Sequence, residues 1–441
     1  MNREKISNLT KKSIGVWMKY VGVLVFCITV GMLLLAAVYA LPTGAMKANV
    51  ARSSEIFNYE GIYPQLVTGY KYTQLDNYTD SIMLGAAIYE GTENIIDKTV
   101  NNYHPDSSQL SPELALTNYA NEVSAYEYNP ISYGRYWHGY LVPLKLLLMF
   151  FDYSDIRILN FFLQNLLLCL LIKRLCQIGL EPYVPAFLIM VFVLNPLTAA
   201  LSLQFSSVYY VILLSAIMLL RFARGGAEGK INDLFFMTGI LTAYLDFLTY
   251  PLATFGILLV LYLIVNRENI RFSSLRRLFP KLLLWGTGYG GMWSGKWLAG
   301  SILMRKNLFA DAVTNALIRT SSGGLQSGRT FSRLDAVLKN ISVFMKWPFL
   351  IVFLLGAGYF LVHLRKLTLS MVRQDAAFIL FMLAAAFLPV VWIFVMADHS
   401  YEHYWFTYKE FTISCFALLS LGAYLKSVVL NKVSNASVYR K

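Results

Sequence analysis

Long apolar runs separated by polar turns occupy most of the chain. The first covers residues 20–41, and others lie near 156–172, 182–203, 205–222, 234–248, 250–266, 282–303, 344–364, 376–397 and 411–428. A helix rises 1.5 Å per residue, so about twenty apolar residues match a hydrocarbon core ~30 Å thick. The pattern predicts an all-α polytopic membrane protein of about ten transmembrane helices, organised as one domain over residues 1–441. Residues 135–153, R-Y-W-H-G-Y-L-V-P-L-K-L-L-L-M-F-F-D-Y, are the exception. Their apolar part is short and holds Pro143 and Lys145, which predicts an interfacial helix that does not cross.

Two polar segments interrupt the pattern. Residues 42–134 carry eleven acids against four bases and are rich in Tyr and Asn, which suits a small folded cap better than a disordered tether. Residues 304–343, between spans 2–7 (156–303) and spans 8–10 (344–428), hold Arg305, Lys306, Arg319, Arg329, Arg333 and Lys339 against Asp311 and Asp335. The patch S-S-G-G-L-Q-S-G at 321–328 reads as a flexible loop.

Composition agrees with a bilayer setting. The chain is 57% hydrophobic and 14% charged, whereas soluble domains are about 25% charged. Mean hydropathy is +0.52. The net charge of +13 would fit nucleic acid, but the bases cluster in short loops: Arg221/Arg224/Lys230, Arg267/Arg271/Arg276/Arg277/Lys281 and Arg365/Lys366/Arg373. That arrangement reads as membrane topology, with both termini cytoplasmic and the two polar segments outside a plasma membrane such as a bacterial inner membrane. A basic N-terminal flank followed by a run of about twenty residues favours an uncleaved anchor, although V-Y-A at 38–40 resembles a cleavage site. Cys27, Cys169, Cys176 and Cys415 form neither a disulfide framework nor a zinc spacing.

Candidate chemistry falls on the outer side. In Q-L-D-N-Y-T-D-S (74–81), Asp76 and Asp80 stand four apart, and a helical segment would put them on one face. Such a pair can act as general base, hold a divalent cation, or only cap a helix. Asp80 is placed to cap the following helix, which favours Asp76 as the base. Arg135 and His138, Asp246 with Tyr250, Lys296, and Arg305 and Lys306 of the basic segment are candidate substrate contacts. So are His399, Glu402, His403, Tyr404 and Lys409 in A-D-H-S-Y-E-H-Y-W-F-T-Y-K (397–409). Each has a plainer reading: loop-to-loop ion pairing for the bases, an aromatic belt for 397–409, a turn acid for Asp246, and an interfacial residue for His138.

An inside N-terminus, an acidic first outer loop and interfacial helices before the second span together resemble the GT-C superfamily of membrane glycosyltransferases. L-D-N-Y-T-D-S and R-Y-W-H-G-Y-L-V-P-L carry the likeness locally. The resemblance implies an enzyme that moves a sugar from a polyprenyl-phosphate donor to an envelope glycan, lipid or protein acceptor, with inversion. Asp76 or Asp80 would be the base, or the ligand of a divalent cation. The acids stand four apart, where many members have them adjacent or one residue apart. Two other classes remain open: a transporter or flippase for lipid-linked saccharide, and a non-catalytic protein of envelope assembly.

Overall fold

The computed structural model describes residues 3–322, 330–364 and 369–438 and is 77% helical. Arg329, most of the Ser/Gly-rich patch, Arg365, Lys366, Arg440 and Lys441 lie outside the described residues. The chain opens with α1 (Arg3–Tyr39) and then builds a cap from α2 (Gly44–Ser53), α3 (Glu55–Glu60), α4 (Asn77–Ile88), α5 (Ile95–Asn101) and α6 (Pro112–Ala120). Within the cap a short antiparallel pair, β1 (His104–Asp106) and β2 (Asn129–Ile131), sets His104 opposite Ile131. Next come α7 (Leu141–Leu148), α8 (Tyr153–Gln177), α9 (Val184–Leu194), α10 (Pro196–Leu201), α11 (Leu203–Arg224) and α12 (Glu228–Leu245). They are followed by α13 (Leu252–Val265), α14 (Leu275–Met304), α15 (Leu308–Thr320) and α16 (Arg333–Ser342). The last elements are α17 (Trp347–Leu364), α18 (Leu369–Gln374), α19 (Ala376–Val395), α20 (Ala397–Glu402), α21 (Tyr404–Thr407) and α22 (Thr412–Val438).

Five helical stretches are long and apolar enough to cross a bilayer: Gly15–Tyr39, Tyr153–Gln177, Leu203–Arg224, Ala376–Val395 and Tyr404–Leu430. A sixth arises if α16 and α17, bent by 90° at their junction, form one crossing. The remaining apolar runs form shorter, broken or more polar helices. The break between α9 and α10 falls at Asn195, whose φ of 61° is a left-handed conformation that Asn tolerates better than most residues. Many large side chains point outward from the long helices, including Phe26, Phe162, Leu166 and Phe387, and a surface of that kind is suited to lipid. The segment 135–153 contributes α7, eight residues and so about 12 Å long, well short of a bilayer core.

Cap and bundle share one core. Leu35 and Tyr39 of α1, Met46 and Val50 of α2, Leu84 of α4, Trp137, Leu141 of α7 and Ile240 of α12 are buried together. A second cluster, centred on α9, α11, α13 and α22, fills the bundle. Arg157 of α8 fastens the two by a bidentate pair to Glu60 at 2.8 and 3.1 Å and a bond to Asn77 at 3.0 Å. Because α8 starts at the cap, Lys173 and Arg174 lie near its far end.

The tightest helix crossing is α12 on α14. A Cβ on Gly239 would lie 2.2 Å from the Trp285 carbonyl oxygen, and one on Gly288 would lie 2.3 Å from that of Phe236. Backbone cannot yield as a flexible side chain can, so the two axes would have to separate. Gly288→Ala is expected to lower stability by about 1–3 kcal/mol, the usual cost of overpacking. Thermal unfolding in detergent checks this; an unchanged midpoint would mean that the helices are not in such close contact.

Candidate functional site

The two acids of the 74–81 segment have separate positions and separate duties. Asp76 is the N-cap of α4, where its carboxylate accepts the Thr79 amide at 3.1 Å and the Thr79 hydroxyl at 2.8 Å. Burial pushes its pKa up to about 7; the Thr79 bonds act in the opposite direction, and the nearby Asp80 adds to the rise. Asp80 sits in the first turn of the same helix and turns to a different one. Its Oδ2 accepts the Tyr153 hydroxyl at 2.6 Å and the Leu203 amide at 2.9 Å, while Oδ1 accepts the Gln204 amide at 3.2 Å. It thus caps α11, whose own N-cap residue Ser202 supplies no side-chain bond. Burial raises Asp80 to about 6, against the stabilising effect of those donors and of Arg157. The capping assignment made from sequence is therefore exchanged: Asp76 caps α4, and Asp80 is committed to α11.

Asp76 borders a cavity of about 420 Å³. Gln204, Arg319, His399 and His403 line it, with Tyr63, Tyr78, Tyr133, Tyr136, Phe247, Trp405 and Phe406 as its aromatic wall. Arg319, from the end of α15, meets His399 Nδ1 at 2.6 Å. A guanidinium can only donate, so Nδ1 accepts and the Nε2–H donates to the Leu248 carbonyl at 2.7 Å. That tautomer is neutral. Burial, then the Arg319 charge and the neighbouring His403, hold His399 well below its ordinary pKa. His403 is depressed to about 4, chiefly by burial and secondarily by Arg319. Gln204 is almost fully buried, and its Oε1 has no hydrogen-bond partner among the described residues.

A groove of about 340 Å³ shares Tyr136 and Arg319 with this cavity. Arg135, Trp293, Trp297 and Trp392 line it too. Along α14, Trp285 stacks on Tyr289 at 5.0 Å, Tyr289 meets Trp293 at 6.3 Å, and Trp293 meets Trp297 at 5.9 Å. The ladder advances by one residue in four, about 18 Å from Trp285 to Trp297. Its fourfold spacing is readable in the sequence, whereas nothing local in the sequence marks Gln204 or the tyrosines at positions 63, 133 and 136 as cavity residues.

Other sequence candidates lie elsewhere. His138, with φ 56°, accepts the Tyr140 hydroxyl at 3.0 Å and donates to the Tyr133 carbonyl at 2.8 Å. It packs behind the cavity wall, and burial depresses its pKa strongly. Asp246 accepts the Leu248 amide at 3.0 Å and the Thr249 amide and hydroxyl at 3.1 and 2.5 Å; it is a turn acid holding Phe247 and Leu248 in place. Tyr250 donates to the Phe205 carbonyl. Lys296 does not approach the Asp76 loop: it is buried and donates to the Thr99 and Val100 carbonyls at 3.1 and 2.8 Å. Lys409 donates to the Leu194 carbonyl at 2.5 Å and the Thr198 hydroxyl at 3.0 Å. Arg305 and Lys306 are exposed, and neither makes an ion pair among the described residues. Arg333 donates to the Phe394, Val395 and Thr320 carbonyls. Glu402 and Tyr404 do not line the cavity, and Tyr404 lies under the Lys339 ammonium at 4.7 Å.

The residues present do not fit a protein-held divalent cation. Among the described residues no three His, Cys, Asp or Glu side chains converge as ligands, and both Asp80 oxygens are already occupied by donors. No protein-family model matches the chain, and neither curated proteins nor solved structures show a significant match.

The two acids should separate cleanly in mutants. Asp80→Asn leaves one oxygen where two accept, and turns an amine on a backbone N–H, so it should cost about 1–3 kcal/mol of stability. Asp76→Asn keeps the cap. Because folding raises the Asp76 pKa from about 3.9 to about 7, the folded state binds the proton more tightly. Its contribution to stability is therefore fully present below pH ~4 and is lost as pH rises through 7. Unfolding measured at pH 5 and pH 8 should show a shallower loss with pH in Asp76→Asn than in the parent. Equal slopes would mean that Asp76 is not buried as described.

Proposed function

We propose that this chain is a membrane glycosyltransferase of the GT-C type, taking a sugar from a polyprenyl-phosphate-linked donor on the outer face of the membrane. The observation that carries this reading is the sharing of one cavity by Asp76 and Arg319, one from the acidic cap and one from the basic segment. The aromatic groove that begins at Arg319 supports it further, since a phosphate on an isoprenoid needs a cation beside a long apolar track. Ten crossings with both termini inside complete the proposal. The helices α9 with α10, α12, α13, α14 and α17 are then crossings beside the long apolar ones, and the Arg/Lys clusters fall on one side.

In this mechanism Asp76 removes the proton from an acceptor hydroxyl as that oxygen attacks the anomeric carbon and the bond to phosphate breaks. The configuration at that carbon inverts. Arg319 stabilises the negative charge on the departing phosphate, and neutral His399 holds the guanidinium in line through Nδ1. A base with a pKa near 7 is in part charged at neutral pH and still strong enough to accept a proton.

A transfer assay with membranes and the native lipid extract tests the reading. Asp76→Asn should lose about 10²–10⁴ in rate, as for removal of a general base. Arg319→Ala should lose about 10²–10³, as for loss of a charge-stabilising donor. Parent activity should rise with pH through a midpoint near 7 as Asp76 ionises. Full transfer in both variants at normal expression would remove this cavity as the active site and leave the carrier for lipid-linked saccharide as the better account.

A further inference from the structure

Tyr63 and Tyr78 stand at the cavity beside Asp76 with their rings open to solvent, 45% and 38% exposed, although both are large aromatic residues in a tightly packed cap. The rings stack with centroids 6.1 Å apart and planes 19° from parallel, and Trp405 meets Tyr63 edge-on at 5.3 Å. Tyr78 is two residues from Asp76 in the first turn of α4, so the platform and the carboxylate are fixed by the same helix start. Gln204, whose Oε1 is buried without a partner among the described residues, lines the same space, as does His403, whose imidazole makes no hydrogen bond among the described residues.

We propose that this end of the cavity is the acceptor subsite and that the acceptor is a neutral saccharide, with the apolar face of a sugar ring on Tyr63 and Tyr78. This rests on the glycosyltransferase reading above. Sugars present a C–H face and an edge of hydroxyls, and the site offers the matching pair: aromatic faces on one side, the lining Gln204 and the imidazole of His403 on the other. Electrostatics point the same way. Among the described residues the cavity lining holds one carboxylate, Asp76, and one guanidinium, Arg319, and the proposed mechanism assigns Arg319 to the donor phosphate. The apolar groove that shares Tyr136 and Arg319 with this cavity starts from Arg319, on the donor side. At about 420 Å³ the space falls in the range of ~300–1,000 Å³ typical of small-molecule sites.

The test uses the purified full chain in lipid nanodiscs and a panel of neutral mono- and disaccharides, read by saturation-transfer NMR. The same panel is then offered as acceptor in the transfer assay. At least one saccharide should bind the parent protein. Tyr63→Ala and Tyr78→Ala should each weaken binding roughly three- to tenfold, the range for loss of one aromatic contact. Tyr78→Phe keeps the ring and should restore binding, and Asp76→Asn should bind while failing to transfer. The two tyrosines are partly solvent-exposed, so folding is expected to survive their replacement, and unchanged thermal midpoints confirm it. Transfer to a lipid or peptide with no saccharide binding would overturn the proposal and leave the enzyme reading intact. Saccharide binding that responds to Tyr78 but is followed by no transfer in any condition would uphold the subsite and sink the enzyme reading. Binding indifferent to both alanine variants would overturn the proposal outright.

Discussion

Helix ends placed away from water must have their backbone groups met, and in this chain charged side chains from other elements meet them. Helix C-termini receive cations: Lys145 reaches the Ala87 carbonyl of α4, Lys296 those of Thr99 and Val100 in α5, Lys409 that of Leu194 in α9, and Arg333 those of Phe394 and Val395 in α19 and of Thr320 in α15. Two N-termini receive carboxylates, Asp80 on α11 and Glu410 on the Leu252 amide of α13. Each pairing puts the charge at the pole of the helix dipole that favours it, and those of Lys145, Lys296, Lys409, Asp80 and Glu410 satisfy acceptors or donors that would otherwise be buried without partners. Lys145 shows the balance outside the long helices: burial lowers it to about 8, so it still donates as an ammonium at neutral pH.

That constraint decides which polar residues remain for chemistry. An inventory of outer-side charges treats Lys296, Lys409, Asp80 and Arg319 alike, yet three of the four are consumed in holding helices at fixed depth and angle. Arg319 escapes because α15 is short and ends at the cavity, where His399 takes one of its donors. Asp76 keeps its cap bonds to its own helix and still borders open space. The site is thus what the capping network leaves over, and its rigidity comes from that network: Asp80 fixes the start of α11, which places Gln204, and Asp246 fixes the turn that places Phe247 and the Leu248 carbonyl.

The sequence carried the helices well because their signal is local. An apolar run of twenty residues says helix wherever it packs, and the short, Pro-containing run at 141–148 forms a helix of eight residues, as its length suggests. The site was less readable because its signal is not local. Asp76 and Asp80 have the same spacing whichever one faces the cavity, and their roles separate only when α11, over a hundred residues away, brings its amides to Asp80. Arg319 was hidden among bases of a segment read as loop, though L-F-A-D-A-V-T-N-A-L-I-R-T has the periodicity of an amphipathic helix and forms α15. The Trp285–Tyr289–Trp293–Trp297 series was visible at its fourfold spacing; only the fold shows that it leads to Arg319.

Burying Asp76 disfavours its ionised form, and a chain selected for stability alone would place Asn there, which caps a helix about as well. Thr79 tempers the effect of burial: its amide and hydroxyl favour the carboxylate enough to keep the group ionisable near neutrality. His399 works in the reverse sense. Burial and the guanidinium keep it neutral, and only a neutral Nδ1 can accept from Arg319, so the cation at the cavity persists because the imidazole beside it does not become a second one.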